Sequence, residues 1–298
     1  LPQTATSVEC QTAQALAGGL DVCTLLNAGV AAQDVAQSVA ATNRTTSVAF
    51  LPAVGVTLNW TDDLATSFTV KRGYRAGGAG RTFLSAQDFE FDPEFAWNYE
   101  LGLRSTWLDD RLTVNANVFY FDWNNQQVSI DGPLGALDSL VVNAGSSRTF
   151  GGELEFFAAA TDNLDLRGSV GYVNTRFTDF VNQGQVLTGN EFPNAPNWTA
   201  AVAAIYEFDS GFYIQADANY RSNAFTSADN NPGSFEDSRT LVNGKIGYRN
   251  DYLDAQIFAT NLFDVDYIEH TSAATNTAKV GDGLFVGARV TVDLDFDG

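Results

Sequence analysis

The sequence predicts an all-β protein, an antiparallel up-and-down transmembrane β-barrel with about eleven strands present. Three observations predict it. Apolar and polar residues alternate in long runs, the connections between runs are alternately short and long, and aromatic residues gather near the ends of the apolar stripes. Period two sends successive side chains to opposite faces of a strand. A tilted strand of that kind crosses a bilayer in about ten residues.

The clearest run is Phe212–Arg221. Phe212, Ile214, Ala216, Ala218 and Tyr220 share one face, and Tyr213, Gln215, Asp217, Asn219 and Arg221 the other. Leu112, Val114, Ala116, Val118 and Tyr120 repeat the apolar stripe, as do Leu164, Leu166, Val170 and Tyr172. Trp198, Ala200, Val202, Ala204, Tyr206 and Phe208 form another. The last run sets Val286, Ala288, Val290, Val292, Leu294 and Phe296 against Gly287, Arg289, Thr291, Asp293 and Asp295. Strand criteria give segments at 46–60, 64–75, 97–107, 111–130, 140–160, 164–178, 197–208, 211–223, 238–250, 253–267 and 284–296.

Short connections fall at 61–63, 108–110, 161–163, 209–211 and 250–252. They are rich in Asp, Asn and Gly, the residues of tight hairpins. Longer polar stretches fill 76–96, 131–139, 179–196, 224–237 and 268–283. Outer-membrane barrels pair short periplasmic turns with long extracellular loops. Counting back from 284–296 sets that end in the periplasm and residues 1–45 outside, as an extracellular loop with room for a short helix over 11–38. Residues 46–298 form the barrel part.

A soluble β-sandwich also alternates, with its apolar face packed inward. Sandwich strands usually hold five or six residues, whereas several runs here exceed ten. Trp60, Trp97, Tyr99, Trp107, Trp123, Trp198, Tyr206, Phe208, Phe212, Tyr220, Tyr248 and Phe296 match the aromatic girdles of a membrane barrel. The polar face then lines the lumen, with Lys71, Arg75, Glu100, Arg104, Glu153, Glu155, Arg167, Asp217, Arg221, Lys245, Arg249 and Arg289. Arg or Lys turned to lipid at mid-depth would cost roughly 2–4 kcal/mol. The plainer reading of this set is a hydrated wall with no specific ligand.

Lys and Arg number 16 against 36 Asp and Glu, a net charge of −20, which excludes nucleic acid as a partner. A hydrophobic fraction of 45% excludes wholesale disorder. The chain has no Met, and its odd strand count would leave two open edges; both point to sequence missing on the N-terminal side. Cys10 and Cys23, the only two cysteines, suggest a disulfide in an oxidising compartment, with two free buried thiols as the alternative. No 18-residue apolar run is present, so no transmembrane helix is expected.

No catalytic residue and no cofactor is expected. His270 is the lone histidine, on an expected surface loop, and no GxSxG, HExxH or Walker A accompanies it. Asp293–Gly298 opens like an EF-hand loop but lacks the Glu at its twelfth position. Gly77–Gly80 does not meet GxGxxG spacing, and is expected to bend a strand top or free a loop.

Several segments resemble the TonB-dependent outer-membrane receptors. Lys71-Arg72-Gly73-Tyr74-Arg75-Ala76-Gly77-Gly78 resembles their RGYRAGG segment. In the family's order there follow Pro93-Glu94, Asn98–Arg104, Val118-Phe119-Tyr120, Asn143-Ala144-Gly145, Gly151–Glu155, Pro193-Asn194-Ala195-Pro196 and Asn261–Tyr267. Val292, Leu294 and Phe296 resemble the terminal signal read by the barrel-assembly machinery, although Asp297 and Gly298 follow the aromatic. The resemblance, over about residues 45–296, implies the C-terminal half of a 22-stranded barrel in a Gram-negative outer membrane. It implies a separate plug domain, a TonB energy-transducing complex as partner, and uptake of a scarce small molecule such as a ferric siderophore. A passive porin-like channel and a secreted β-sandwich binding protein are the alternatives.

Overall fold

The structure, a computed structural model, describes residues 48–82, 84–85, 87–132, 135–272 and 277–293. Eleven strands form one antiparallel sheet in which each strand pairs with the next in sequence. They are β1 (Ala53–Asn59), β2 (Leu64–Arg75), β3 (Glu94–Trp107), β4 (Leu112–Gly132), β5 (Gly135–Ala159), β6 (Leu164–Asp179), β7 (Trp198–Glu207), β8 (Phe212–Arg221), β9 (Arg239–Arg249), β10 (Leu253–Thr260) and β11 (Phe285–Val292). Among the described residues no helix is long and apolar enough to cross a membrane.

The two faces of this sheet differ as the alternation requires. On β8, Phe212 and Ile214 are 53% and 46% exposed while Tyr213 between them is 2% exposed. Val56, Val118, Val202, Ile246, Ile257 and Val290 are likewise exposed on their strands. These large apolar side chains are not packed against a second sheet, which removes the sandwich reading. An exposed apolar area spread over many strands marks a surface built to be covered.

Turn chemistry trims the short-connection end. Asn250 Oδ1 accepts from the N–H groups of Tyr252 (3.0 Å) and Leu253 (2.9 Å), closing the turn into β10. Asn163 reaches across to the carbonyl of Glu207 at 2.7 Å. Leu108, Asp109 and Asp110 all hold left-handed backbone, with φ of 60°, 54° and 66°. Asp tolerates that region better than a bulky residue does.

The long connections are not loose. Two-stranded hairpins occupy four of them: Gly78–Arg81 with Asp88–Phe91, Val181–Asn182 with Gln185–Val186, Ala224–Phe225 with Phe235–Glu236, and Ile268–Ser272 with Thr277–Val280. Three sequence expectations are corrected here. Residues 131–139 are not a long loop, because β4 runs to Gly132 and β5 starts at Gly135. Residues 261–267 are not strand: Asn261 and Asp264 take left-handed φ of 48° and 51° and end the ladder at Thr260. Gly77–Gly80 neither frees a loop nor simply bends, since Gly78–Arg81 is strand. Phe91 and Phe89 lie over Gly78 and Gly80, where any side chain would collide with the rings.

The chain divides into two compact units. In the first, which holds residues 73–96 and 123–146, Asp138 is fully buried and its Oδ1 accepts from the N–H groups of Leu84 (2.8 Å) and Ser85 (2.9 Å). Asn143 accepts from Asp92 N–H (2.7 Å) and donates to the carbonyls of Asp92 (3.0 Å) and Asn125 (2.8 Å). The second unit holds residues 52–72, 97–122 and 147–298. There Tyr213 lies flat over Gly247 on the neighbouring strand, where a Cβ would come within 2.6 Å of its hydroxyl. The ring covers backbone that glycine leaves bare and stiffens the rung.

Val202→Arg is expected to lower unfolding free energy in lipid vesicles by roughly 2–4 kcal/mol. Gln215→Arg, on the opposite face, is expected to change it by less than about 1 kcal/mol. Equal effects in denaturant titrations would contradict a lipid-facing apolar stripe.

Candidate functional site

Polar chemistry is concentrated on the polar face of the sheet and, within the second unit, in the long connections at one end of the strands.

All twelve charged residues picked from the alternation lie on the polar face, but they do not converge on one centre. Lys71 and Arg75 alternate with Val70 and Tyr74, and Glu100 and Arg104 with Tyr99, Leu101 and Leu103. Arg289 stands opposite Gln256. Glu155, Arg167 and Asp217 line one groove of about 580 Å³, together with Asn115, Gln215 and Asn219 over a floor of Ala201 and Ala203. Glu153 and Glu155 line a second, of about 370 Å³. Asn115 donates to Glu155 at 2.8 Å and Asn117 to Glu153 at 3.5 Å. Arg167 sits over the Phe157 ring at 5.5 Å, and Asp217 accepts from Asn219 (2.9 Å) and Asn243 (2.7 Å). Most of these charges are therefore held by neighbours within the wall.

A denser cluster lies toward the short turns, centred on Tyr213. Its hydroxyl is 2.9 Å from both Asp254 Oδ1 and Gln256 Oε1. Arg249 pairs with Asp254 (3.1 Å) and Glu207 (3.6 Å), and lies 5.1 Å from the Tyr213 ring. Lys245 lies 5.7 Å from the same ring. Sequence reasoning placed Tyr213, Lys245 and Arg249 on the polar face and missed Asp254, Gln256 and Glu207. Strand parity alone could have placed these three on the same face.

At the other end the long connections bind one another. Glu191 N–H donates to Asn230 Oδ1 at 2.7 Å, and Asn230 Nδ2 returns bonds to the carbonyls of Glu191 (3.0 Å) and Ser227 (3.1 Å). Asn190 donates to the Ala228 carbonyl at 2.9 Å, and Asn194 N–H to the Phe225 carbonyl at 2.7 Å. Phe177 and Phe180, both almost fully buried, pack with Phe192 beside them, ring centroids 4.9 and 4.8 Å from Phe177. Thr226 Oγ1 donates to the Thr271 carbonyl at 2.8 Å. Arg239 donates to the Ile268 carbonyl at 2.9 Å and lies over the Tyr267 ring at 4.6 Å.

Glu236 is the most buried charge of this layer. Arg221 Nη2 pairs with its Oε2 at 3.2 Å, and His270 Nδ1 stands 3.8 Å from its Oε1. His270 lies in the strand Ile268–Ser272, not in an irregular loop, and its side chain is half exposed. Asp229 shows how polar bonding organises the layer. Burial pushes its carboxyl up, but hydrogen bonds from Asn231 and Ser227 outweigh that and hold it below the ordinary value.

Cys10, Cys23 and the extracellular segment 1–45 lie outside the described residues, as do Leu294 and Phe296. Val292 ends β11 on the apolar face. Among the described residues no group of three or more His, Cys, Asp or Glu could hold a metal ion.

A single antiparallel meander with large apolar residues on one face and charges on the other is the construction of one membrane-barrel class. The model of the family described as "TonB dependent receptor-like, beta-barrel" matches residues 21–262, and the chain belongs to that family. It is 26% identical over 173 residues to the metal-pseudopaline receptor CntO of Pseudomonas aeruginosa, covering 58% of this chain and 23% of that one. It is 24% identical over 212 residues to a probable TonB-dependent siderophore receptor, PiuA, of Acinetobacter baumannii, covering 68% and 28%. In fold it is similar to the crystal structure of the ferric yersiniabactin uptake receptor FyuA from Yersinia pestis, with TM-score 0.68, 20% identity and 82% and 37% coverage. The chain thus spans about a quarter of the length of the curated relatives named.

Asn230→Ala is expected to cost the loop layer about 1–3 kcal/mol, read as faster amide exchange at 189–194 with exchange in β7 and β8 unchanged. Because the Asp229 carboxyl is depressed in the fold, its contribution is present above the unfolded value of about 3.9. It is lost as pH falls through the lower folded value. Exchange in 226–234 should therefore accelerate below about pH 4, and Asp229→Asn should flatten that dependence.

Proposed function

We propose that the chain is the C-terminal barrel part of an outer-membrane receptor that takes up a scarce small molecule actively, a ferric siderophore being the favoured class. The observation that supports this most is the pairing of two features in one sheet. An apolar stripe is exposed strand after strand, and hairpins bonded to one another crown the same strands at the long-connection end. Family membership and the printed substrates of the relatives, metal-pseudopaline and siderophores, agree with it.

In this reading the apolar face meets lipid and the polar face lines the lumen. The segments 76–96, 179–196, 224–237 and 268–283 stand outside and make first contact with the substrate, and residues 1–45, with Cys10 and Cys23 as a disulfide, join them there. A plug supplied by other sequence fills the lumen against the polar face and connects it to the TonB complex. Outer-membrane lipid and the barrel-assembly machinery are the remaining partners. The cargo's iron is substrate, no resident cofactor is invoked, and no catalysis is assigned to the chain.

The test is uptake of radiolabelled iron, as ferric siderophores of several classes, into Gram-negative cells whose only such receptor is the full-length protein. Uptake of at least one class that stops when the proton-motive force is collapsed, or when TonB is deleted, supports active transport. Uptake that persists under both treatments assigns a passive channel instead. Recovery of the full-length protein in the soluble fraction overturns the membrane placement itself.

A further inference from the structure

We infer that His270 and Glu236 form a proton-operated clasp between two hairpins of the long-connection layer. The inference concerns the movement of the layer itself and holds whichever substrate the protein takes.

The argument starts from an underbonded carboxylate. The Glu236 side chain is 1% exposed, and neither of its oxygens meets a hydrogen-bond donor in good geometry. Buried polar groups are nearly always satisfied, so an exception calls for a cause. Each oxygen instead faces one cationic or potentially cationic group. Oε2 has Arg221, at the end of β8, at 3.2 Å; Oε1 has His270 Nδ1 at 3.8 Å. A separation of 3.8 Å is too long for a hydrogen bond and is closed by a shift of about 1 Å.

Position makes that shift useful. Glu236 belongs to the strand Phe235–Glu236 and His270 to the strand Ile268–Ser272, in separate hairpins. The hairpins are already joined next door, where Thr226 Oγ1 meets the Thr271 carbonyl at 2.8 Å and the Thr271 hydroxyl at 3.1 Å. Thr226–Thr271 acts as a pivot, and the gap between His270 and Glu236 is the part left open. Imidazole changes charge between pH 5 and 8. Neutral His270 leaves Oε1 without a cation, whereas the imidazolium gives it a charge-assisted hydrogen bond.

The other charges around His270 do not cancel this effect. Lys279, its cross-strand partner, is tied to Glu269 at 2.5 Å, so the two largely neutralise each other. Arg239 is engaged with the Ile268 carbonyl and the Tyr267 ring. Arg221 is taken up by the other Glu236 oxygen. Since the closed form holds the extra proton, it gains as pH falls through the imidazole range and is lost as pH rises through it.

The experiment is amide hydrogen exchange on the full-length protein in detergent micelles, without substrate, at pH 7.5 and 5.5, corrected for intrinsic rates. Protection of 268–272 and 235–236 is expected to rise by about threefold at the lower pH, the scale of a half-exposed ion pair. His270→Gln should abolish the rise, and His270→Lys, a permanent cation, should give the higher protection at both pH values. Lys279→Gln should leave the rise in place. A rise of equal size in His270→Gln, or no rise in the unmutated protein, overturns the clasp. None of these outcomes depends on whether iron is transported.

Discussion

The structure depends on one constraint: where no water reaches, every backbone N–H and C=O must find its partner on the neighbouring strand. The nine inner strands meet it with no crossover, each paired on both edges with its sequence neighbours, while β1 and β11 are paired in this sheet on one edge only. The same constraint confines irregular backbone to the two ends. At one end, short Asp- and Asn-bearing turns bind their own orphan N–H groups, as Asn250 does for Tyr252 and Leu253. At the other, the long connections satisfy themselves by pairing into hairpins and by side-chain bonds such as those of Asn230.

This division explains why the segments that carry the family resemblance contain so few free polar groups. Asn143 and Asn261 are fasteners. Asn261, almost fully buried, accepts from Val265 N–H at 2.9 Å and donates to the carbonyls of Val265 and Asp282. Asp264 in the same segment accepts from Leu284 N–H at 2.7 Å, tying the end of β10 to the start of β11. Gly77 has the Phe91 carbonyl and Pro93 so close that a Cβ would sit within 2.9 Å of each. These residues hold the frame from which the long connections project.

The acidic excess follows the same logic. On the polar face, carboxylates are met by guanidinium groups, amides or a phenol, as around Tyr213. Asp62, Asp63, Asp109 and Asp110 lie exposed in the short turns, where solvent supports their charge, while Asp162 in a third turn pairs with Arg111 at 3.6 Å and Asp209 in a fourth accepts from Asn163 at 3.1 Å. The sheet between the turns mixes both signs on its polar face.

The sequence by itself determined the number of main strands, the two-faced alternation along them and the position of the short turns. Those depend on local terms, side-chain period and turn chemistry, that act within a few residues. Only the tertiary structure decided how far β4 and β5 extend, why 261–267 leaves the ladder, and that the long connections fold as bonded hairpins. It also decided which charges meet: Tyr213 with Asp254, 41 residues apart, and Glu236 with Arg221 and His270. Such contacts join residues distant in the chain, and nothing in a local pattern specifies which strand end a loop residue will lie against.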